Sequence, residues 1–325
     1  MSHPVGGDYF CALPFWFRLD AQRIFRGRWP AVSDVRAHYD ESASSYHEQY
    51  DPDLIWRNAE YPANFFRLEK VIRILEDRGV SSVYELGAGE ASPIIRIRER
   101  LGVDIRASDL SPEMVRLGKE NLARHGMDPE WLTLLDVEDD AALGAEAARV
   151  GPSDAVIALG VIPHVRDDDA FVAAMAQFVR PGGSLILQFR NAMFSMFTFN
   201  RLTKEFILGE IMASVPKTFR DAVEEDLDVR LAVDKPPKRE WDKDAPAYDE
   251  ILARFHNPFE LADVVRRHGF DSIEYGWYNF HPTYPMIAGR FDAKEYREAQ
   301  IALESDDSWR GMFLCSAGMI IARKL

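Results

Sequence analysis

The residues with the clearest chemical potential lie in the segment Val83–Ser92, V-Y-E-L-G-A-G-E-A-S. Its first residues are typical of a buried strand, and Gly87 and Gly89 follow directly. A strand that runs into Gly-x-Gly lets ligand atoms approach the backbone, because no Cβ is in the way. Dinucleotide sites and S-adenosylmethionine sites both use this turn. A dinucleotide fingerprint favours Gly or Ala at its sixth position, where this chain has Ser92, so the motif leans away from NAD.

Two acids follow at the ends of later strands. Asp109 comes about 20 residues after Gly89, where a carboxylate can accept both hydroxyl hydrogens of a ribose. Asp136 ends the next strand, where a carboxylate can accept from an adenine amino group. Structural roles stay open for both. Asp109 could cap the helix that begins at Ser111-Pro112, and Asp136 could be one of several solvated acids in Asp136–Asp140.

Alternating strands and helices must position these residues. Short apolar runs alternate with segments whose apolar residues recur every three or four positions, which predicts a parallel sheet covered by helices on both faces. Ser92-Pro93 is interpreted as an N-cap followed by proline at the first helical position. Strands are predicted at Ser81–Gly87, Val103–Asp109, Trp131–Asp136, Asp154–Val161 and Ser184–Arg190, and helices at 64–79, 92–102, 111–126, 139–150 and 167–180.

The alternation of strand and helix patterns stops after Asn191 and resumes at Pro258. A helix is predicted from Pro258 to Gly269, followed by strands at Ser272–Phe280 and Gly311–Lys324. Because a long loop rather than a crossover helix is expected between them, the last two strands are predicted to pair antiparallel.

In this order and spacing, the motifs resemble class I S-adenosylmethionine-dependent methyltransferases, of the branch with ubiquinone- and menaquinone-type small-molecule enzymes. Motif I corresponds to Glu85–Gly89, the fourth-strand motif to Asp154–Val165 and the following turn to Arg180–Leu187. The resemblance covers roughly 64–190 and the last two strands. It implies an α/β fold, Rossmann-like and doubly wound, with a mostly parallel seven-stranded sheet, an antiparallel last strand, a helical N-terminal lid and an inserted cap.

The resemblance also implies a cofactor, S-adenosylmethionine, and a set of residues around it. The segment Val35–Asp51 resembles the family's lid, although a plain amphipathic helix with surface tyrosines fits it equally well. Two departures are Ala91, where the family usually has glycine, and Pro163, where it commonly has an acid. The implied cofactor-binding residues are Tyr39, Tyr46, Glu85, Gly87, Ala88, Gly89, Asp109, Leu110, Asp136, Val137 and Gly160.

Methyl transfer requires alignment and exclusion of water rather than a covalent intermediate or a metal. A base that removes the acceptor's proton helps when the acceptor is a hydroxyl. His164 is the first candidate, because it follows the fourth strand at the edge where ligands of open α/β sheets bind. A histidine that only orients or packs is the alternative. His281, after the sixth strand, is the second candidate. No spacing of His, Asp or Glu suggests a metal site.

The predicted organisation has three parts: an N-terminal extension and lid (1–60), a core (61–191 and 258–325) and an inserted substrate cap (192–257). Candidates for the acceptor pocket are the cap residues Phe194, Phe197, Phe199 and Phe206, together with Tyr275, Trp277, Tyr278 and Phe280. Aromatic residues in such a pattern more commonly form part of a core or a dimer face. The expected reaction is O-methylation of a hydroxylated metabolite or a sugar.

Composition restricts the partners. The chain of 325 residues has a net charge of −14, which disfavours binding to nucleic acid. Two cysteines, Cys11 and Cys315, are too few for a disulfide framework and predict a reducing, cytoplasmic location. No run is apolar and long enough to predict a transmembrane helix. The sequence does not decide whether the chain forms a homodimer, or what role the aromatic cluster near the N-terminus has.

Two other functions remain alternatives at this point. A non-catalytic protein of the same fold could bind the cofactor or serve as a partner subunit. A nicotinamide-dependent oxidoreductase would need a stronger phosphate loop than Gly87–Gly89 and a catalytic pair such as Tyr/Lys, neither of which the sequence offers.

Overall fold

A seven-stranded sheet forms the centre of the computed structural model, which describes residues 35–37, 39–40, 50, 61–231 and 253–325. The strands are β1 (Ser82–Leu86), β2 (Asp104–Asp109), β3 (Leu132–Leu134), β4 (Ser153–Ala158), β5 (Val179–Arg190), β6 (Phe270–Phe280) and β7 (Cys315–Lys324). Their order in the sheet is β3-β2-β1-β4-β5-β7-β6. The first five strands are parallel, and β7 runs antiparallel to both of its neighbours. The predicted Rossmann-like, doubly wound sheet is confirmed.

Helices cover both faces of this sheet. In chain order they are α1 (Ala63–Asp77), α2 (Ser92–Leu101), α3 (Pro112–Arg124), α4 (Asp140–Val150), α5 (Asp168–Phe178), α6 (Ser195–Thr198), α7 (Arg201–Phe206), α8 (Lys217–Leu231), α9 (Pro258–Arg267), α10 (Ala293–Leu303) and α11 (Gly311–Leu314). Apolar side chains of α1, α2 and α3 pack on one face, and those of α4, α5 and α9 pack on the other. Alternate residues of each strand therefore enter different halves of the core, as period-two strands require.

Glycines and caps set several helix ends. The Ser111 side chain accepts from the Met114 N–H, and Pro112 occupies the first turn of α3, as predicted. The cap predicted at Ser92 is wrong. Ala91 precedes α2 in a left-handed conformation with φ of 75°, and its side chain makes no capping hydrogen bond. Ser92 is thus the first helical residue, and the chain enters α2 through a tight backbone turn.

Three boundaries in the second half differ from the sequence prediction. The turn at 181–183 lies within β5, where the pairing with β4 jumps from Ser153↔Val179 to Ala155↔Ser184. Between β6 and β7 lies helix α10, not only a loop. The last strand begins at Cys315, because the preceding residues form α11. The antiparallel pairing of β6 and β7 is nevertheless confirmed.

The segment from 192 to 231 leaves the sheet as a series of short helices. A 3-10 turn (Ala192–Phe194) and α6 lead to α7, which continues into a π-helical turn, Ile207–Ile211. Helix α8 follows, and none of its residues is buried. Residues 232–252, which complete the predicted cap, lie outside the described residues. The division into lid, core and cap stays a prediction.

Within the described ranges, no helix combines the length and the apolar content needed to cross a bilayer.

Candidate active site

A cavity opens at the edge of the sheet where β1, β2 and β4 end. It encloses about 930 Å³, including the open solvent at its mouth. Most of the residues that the sequence pointed to lie on its wall. They are Tyr39, Glu85, Gly87, Ala88, Gly89, Asp109, Leu110, Asp136, Val137, Gly160 and His164.

The glycine turn after β1 forms the floor. Gly87 has φ of 79°, and a Cβ built on it would lie 2.2 Å from Val161 Cγ2. Only glycine fits there, on grounds of both conformation and space. The N–H groups of Gly87 and Ala88 both donate to the Ser108 carbonyl, at 2.8 and 3.0 Å. These bonds tie the turn to the end of β2 and keep its backbone close to the cavity.

Glu85 is the least expected feature of the cavity. Its side chain is fully buried, and neither carboxylate oxygen has a hydrogen-bond partner among the described residues. Burial raises the pKa of Glu85 to about 8; nearby Arg67 opposes the rise and Asp109 adds to it. A buried carboxyl group without partners is costly to ionise, so this position suits a ligand that brings a positive charge.

Asp109 is held by two backbone groups at the end of β2. Its Oδ2 accepts from the Gly89 N–H at 2.8 Å, and its Oδ1 accepts from the Ser111 N–H at 2.9 Å. Burial raises the pKa of Asp109, although these two N–H groups oppose the rise. Each carboxylate oxygen can accept a further hydrogen bond, because an ionised carboxylate offers about four lone-pair positions. The alternative in which Asp109 caps α3 by its side chain does not hold, since Ser111 is the cap.

Asp136 and Val137 follow β3 and form another side of the cavity. Asp136 Oδ1 accepts from the Glu138 N–H at 2.9 Å, which fixes the turn at this point. The side chains of Glu138 and Leu135 line the cavity beside them. A carboxylate and an apolar side chain therefore stand next to each other, an arrangement that suits the polar edge and the flat face of a heterocyclic base.

His164 ends the 3-10 turn Ile162–His164 after β4. A hydrogen bond joins its Nε2 to the Tyr39 hydroxyl at 3.1 Å, and the two rings meet edge to face with centroids 5.7 Å apart. The imidazole is 9% exposed and lies on the cavity wall. It therefore faces the cavity while a phenol hydroxyl is bonded to its Nε2.

The described N-terminal residues lie over the rim of the cavity. Arg36 donates to the Leu110 carbonyl at 3.1 Å, and the Ser111 hydroxyl donates to Asp40. Together with the contact between Tyr39 and His164, these bonds connect residues 35–37 and 39–40 to the ends of β2 and β4. Tyr46, the other tyrosine predicted to close over a cofactor, lies outside the described residues.

His281 is not brought to this cavity. It follows β6, where its ring packs on Phe194 with centroids 4.7 Å apart. Burial lowers the pKa of His281 to about 4, so the ring is neutral at pH 7. The structure thus separates the two predicted catalytic histidines. The contact between His281 and Phe194 could not be predicted from residue types and spacing.

Several aromatic residues proposed for an acceptor pocket are instead buried in the protein. Trp277, Tyr278 and Phe280 are at most 3% exposed and belong to the two halves of the core. Phe206 is also buried. In the cap, Phe194, Phe197 and Phe199 cluster with Tyr284 through ring contacts of 5.5 to 6.3 Å, and Phe199 is half exposed.

Sequence analysis missed Arg67. This residue of α1 is 4% exposed, and its Nη2 donates to the Tyr50 hydroxyl at 2.7 Å. Its Nη1 would lie 3.4 Å from a Cβ built on Gly160. A signal was present, because Arg67 stands on the same helical face as the apolar residues Leu68 and Val71. A charged residue on a buried face is rarely there without a charged or polar partner.

Comparison with known proteins agrees with this geometry. Residues 84–185 match a family described as "Methyltransferase domain". A curated relative from Xanthomonas axonopodis pv. citri (strain 306), "Ubiquinone biosynthesis O-methyltransferase", is 33% identical over 144 residues, 44% of this chain and 57% of the relative. A protein of the same name from Methylocella silvestris is 31% identical over 111 residues, 34% of this chain and 40% of the relative. The matches thus span 57% of the length of the first of these relatives and 40% of the second.

Among solved structures, a magnesium protoporphyrin IX methyltransferase from Synechocystis PCC 6803 with bound SAH superposes with a TM-score of 0.49 and 15% identity. The superposition covers 90% of this chain and 99% of the other.

The sheet order, the glycine turn and the family match over residues 84–185 are those of a class I methyltransferase domain. The resemblance predicted from the motifs is confirmed, and so is S-adenosylmethionine as the cofactor of such a domain.

Proposed function

We propose that this chain transfers a methyl group from S-adenosylmethionine to a hydroxyl oxygen of a small-molecule acceptor. The observation that carries the proposal is Glu85, a buried carboxyl group on the cavity wall without a hydrogen-bond partner among the described residues. S-adenosylmethionine carries a sulfonium and an ammonium group. A nicotinamide dinucleotide would instead bring a pyrophosphate, whose negative charge disfavours ionisation of a buried carboxyl group and is repelled once that group is ionised.

The residues of the cavity fit this cofactor. Asp109 would accept from the ribose hydroxyls, Asp136 would accept from the adenine amino group, and Glu85 would face the positive end. The turn at Gly87 leaves the space that a Cβ would fill. Arg67 lies near Glu85 and Gly160, and its positive charge at this end of the cavity suits the carboxylate of the cofactor. When bound, the cofactor supplies an electrophilic methyl group.

His164 is the proposed base. Its Nε2 is bonded to the Tyr39 hydroxyl at 3.1 Å, which shows that this nitrogen can reach a hydroxyl group at the cavity wall. An acceptor hydroxyl that takes the place of Tyr39 would give its proton to Nε2 as the methyl group is transferred. The segment that carries Arg36 and Asp40 would exclude water at this step, since both residues already bond to the cavity rim.

A small hydroxylated metabolite or a sugar is the proposed acceptor. The charge of −14 disfavours a phosphate-rich polymer, and two curated relatives are named as ubiquinone biosynthesis O-methyltransferases. The paucity of cysteines supports a cytoplasmic location.

Two measurements test the proposal. Calorimetry should show binding of S-adenosylmethionine and none of NAD+. Incubation with methyl-labelled S-adenosylmethionine and a panel that includes 3,4-dihydroxybenzoate and L-rhamnose should give a labelled methyl ether. Binding of NAD+ in place of S-adenosylmethionine would overturn the cofactor assignment. Binding of S-adenosylmethionine without labelling of any hydroxylated compound in a broad panel would favour a non-catalytic protein of this fold.

A further inference from the structure

Two neighbouring aspartates at the start of α5 each contact an arginine and a histidine from the segment 253–268. Asp168 contacts Arg254 and, at 3.3 Å, His256 Nε2. Asp169 contacts Arg267 at 2.7 Å and His268 Nε2 at 3.1 Å. The chemistry of the two sets is the same, so their surroundings can be compared directly.

The two sets differ in burial. The side chains of Asp168 and Arg254 are about one quarter exposed, and that of His256 is 4% exposed. Asp169 and Arg267 are both more than half exposed. Burial raises the pKa of Asp168, but His256 and Arg254 more than offset this effect and keep the carboxyl ionised. A partly buried ion pair of this kind holds its geometry better than an exposed pair, which water and salt screen.

Backbone hydrogen bonds attach the Asp168 set to the turn that carries His164. The Arg254 N–H donates to the Pro163 carbonyl at 2.8 Å. The His256 N–H donates to the Arg190 carbonyl at 2.7 Å, and the His256 carbonyl accepts from Ala192 at 3.0 Å. The same short stretch thus bonds to the residue before His164, to the end of β5 and, through its side chains, to the start of α5.

The Asp169 set lacks this connection. Arg267 and His268 lie at the end of α9 and its cap, and their described contacts join α9 to α5 without reaching the turn Ile162–His164. One set is therefore bonded to the turn that carries His164 through a single residue, Pro163, while the other joins two helices at the surface.

We propose that Arg254 and His256 are positioning residues, which hold the turn that carries His164 through Pro163 and Asp168. This proposal rests on the proposed role of His164 as the base. Neither residue is among those that line the cavity, so each acts through the turn rather than on a ligand.

The test uses the full chain with Arg254→Ala, the conservative Arg254→Lys and the matched control Arg267→Ala. Hydrogen exchange is followed at residues 161–167 in the complex with S-adenosylhomocysteine, and kcat and KM for S-adenosylmethionine are measured with 3,4-dihydroxybenzoate. Arg254→Ala should speed exchange at 161–167 and lower kcat about tenfold or more, with KM for the cofactor within about twofold. Arg254→Lys should restore most of both, and Arg267→Ala should change neither. His256→Gln, which keeps a hydrogen-bonding group but removes the imidazole ring, should fall between Arg254→Ala and the wild type.

The proposal is overturned if Arg254→Ala and Arg267→Ala give the same exchange rates at 161–167. It is also overturned if both variants lower the melting temperature by equal amounts and leave the exchange rates and kcat unchanged. The exchange measurement needs no acceptor. If the wild-type chain transfers no methyl group, the proposed function fails, while the comparison of exchange rates still decides whether Arg254 holds the turn.

Discussion

The carboxyl edge of the sheet has two halves that are built in different ways. The first half, at the ends of β1 to β4, consists of short motifs in which the functional residue directly follows its strand, as with Asp109 after β2. The second half, at the ends of β5 and β6 and the start of β7, is assembled by distant segments. There Asn191 Nδ2 donates to the carbonyls of Met312 and Cys315, more than 100 positions along the chain.

This difference between local motifs and long-range contacts determines how much of a site can be predicted from a sequence. A glycine turn and an acid at a strand end act through local backbone geometry, so residue type and spacing are enough to indicate them. The second half depends on contacts that no local spacing encodes. We therefore expect substitutions in the first half to have large effects on one step each, and substitutions around His281 to have small effects on catalysis.

The largest effect is expected for His164→Ala. Loss of a positioned base should lower kcat by about a hundredfold or more, while affinity for S-adenosylmethionine stays within about twofold. The matched control is His125→Ala, which removes an exposed histidine paired with Glu99 at 2.8 Å. Steady-state kinetics with an accepted substrate, together with calorimetry, separates the two effects. Near-normal turnover of His164→Ala would remove this residue from the mechanism.

A smaller effect on a different quantity is expected for Asp109→Ala. Loss of the carboxylate should weaken binding of S-adenosylmethionine at least about tenfold, because hydrogen bonds to a charged group contribute roughly 1.5 to 3 kcal/mol each. Asp104→Ala, at the exposed opposite end of β2, serves as the control. Calorimetry gives both dissociation constants. Equal affinities for the two variants would contradict the placement of the ribose at Asp109.

The smallest effect is expected for His281→Ala. Since this ring is neutral above about pH 4 and packs on Phe194 outside the cavity, turnover should change by less than about twofold. Stability should fall by about 1 to 3 kcal/mol because a buried ring is lost, which urea unfolding measures. A drop of tenfold or more in kcat at unchanged stability would show that the acceptor reaches the second half of the edge.

Sequence analysis predicted the first half of the edge closely. Gly87, Glu85, Asp109 and Asp136 all line the same cavity, because each lies at or just after the carboxyl end of a strand in a parallel sheet. The raised pKa of Glu85 could not be predicted from the sequence. It depends on burial and on the absence of hydrogen-bond partners among the described residues, which follow from the packing of α1 over β1.

The second half was predicted less well. The apolar run Gly311–Lys324 reads as one strand, yet its first four residues form α11, where a Cβ on Gly311 would lie 2.3 Å from the Trp277 ring. Close packing against a residue 34 positions earlier decides the local structure here. Arg254 and His256 were missed for the same reason, because their partners Asp168 and Pro163 lie some 90 residues away.

Proton release on cofactor binding tests the central claim most directly. With a pKa of about 8, the Glu85 carboxyl of the free protein is mostly protonated at pH 7, and a cation beside it should lower that pKa. Titrations of S-adenosylmethionine at pH 7 in phosphate and in Tris, whose ionisation enthalpies differ, should show about one proton more released by the wild type than by Glu85→Gln. As the pH is raised toward 8, the affinity of the wild type for S-adenosylmethionine should increase by up to roughly tenfold per pH unit, and it should level off above about pH 8. The affinity of Glu85→Gln should not show this dependence on pH. Equal proton release by the two proteins would contradict the account, because Glu85 would then not face the charge of the cofactor.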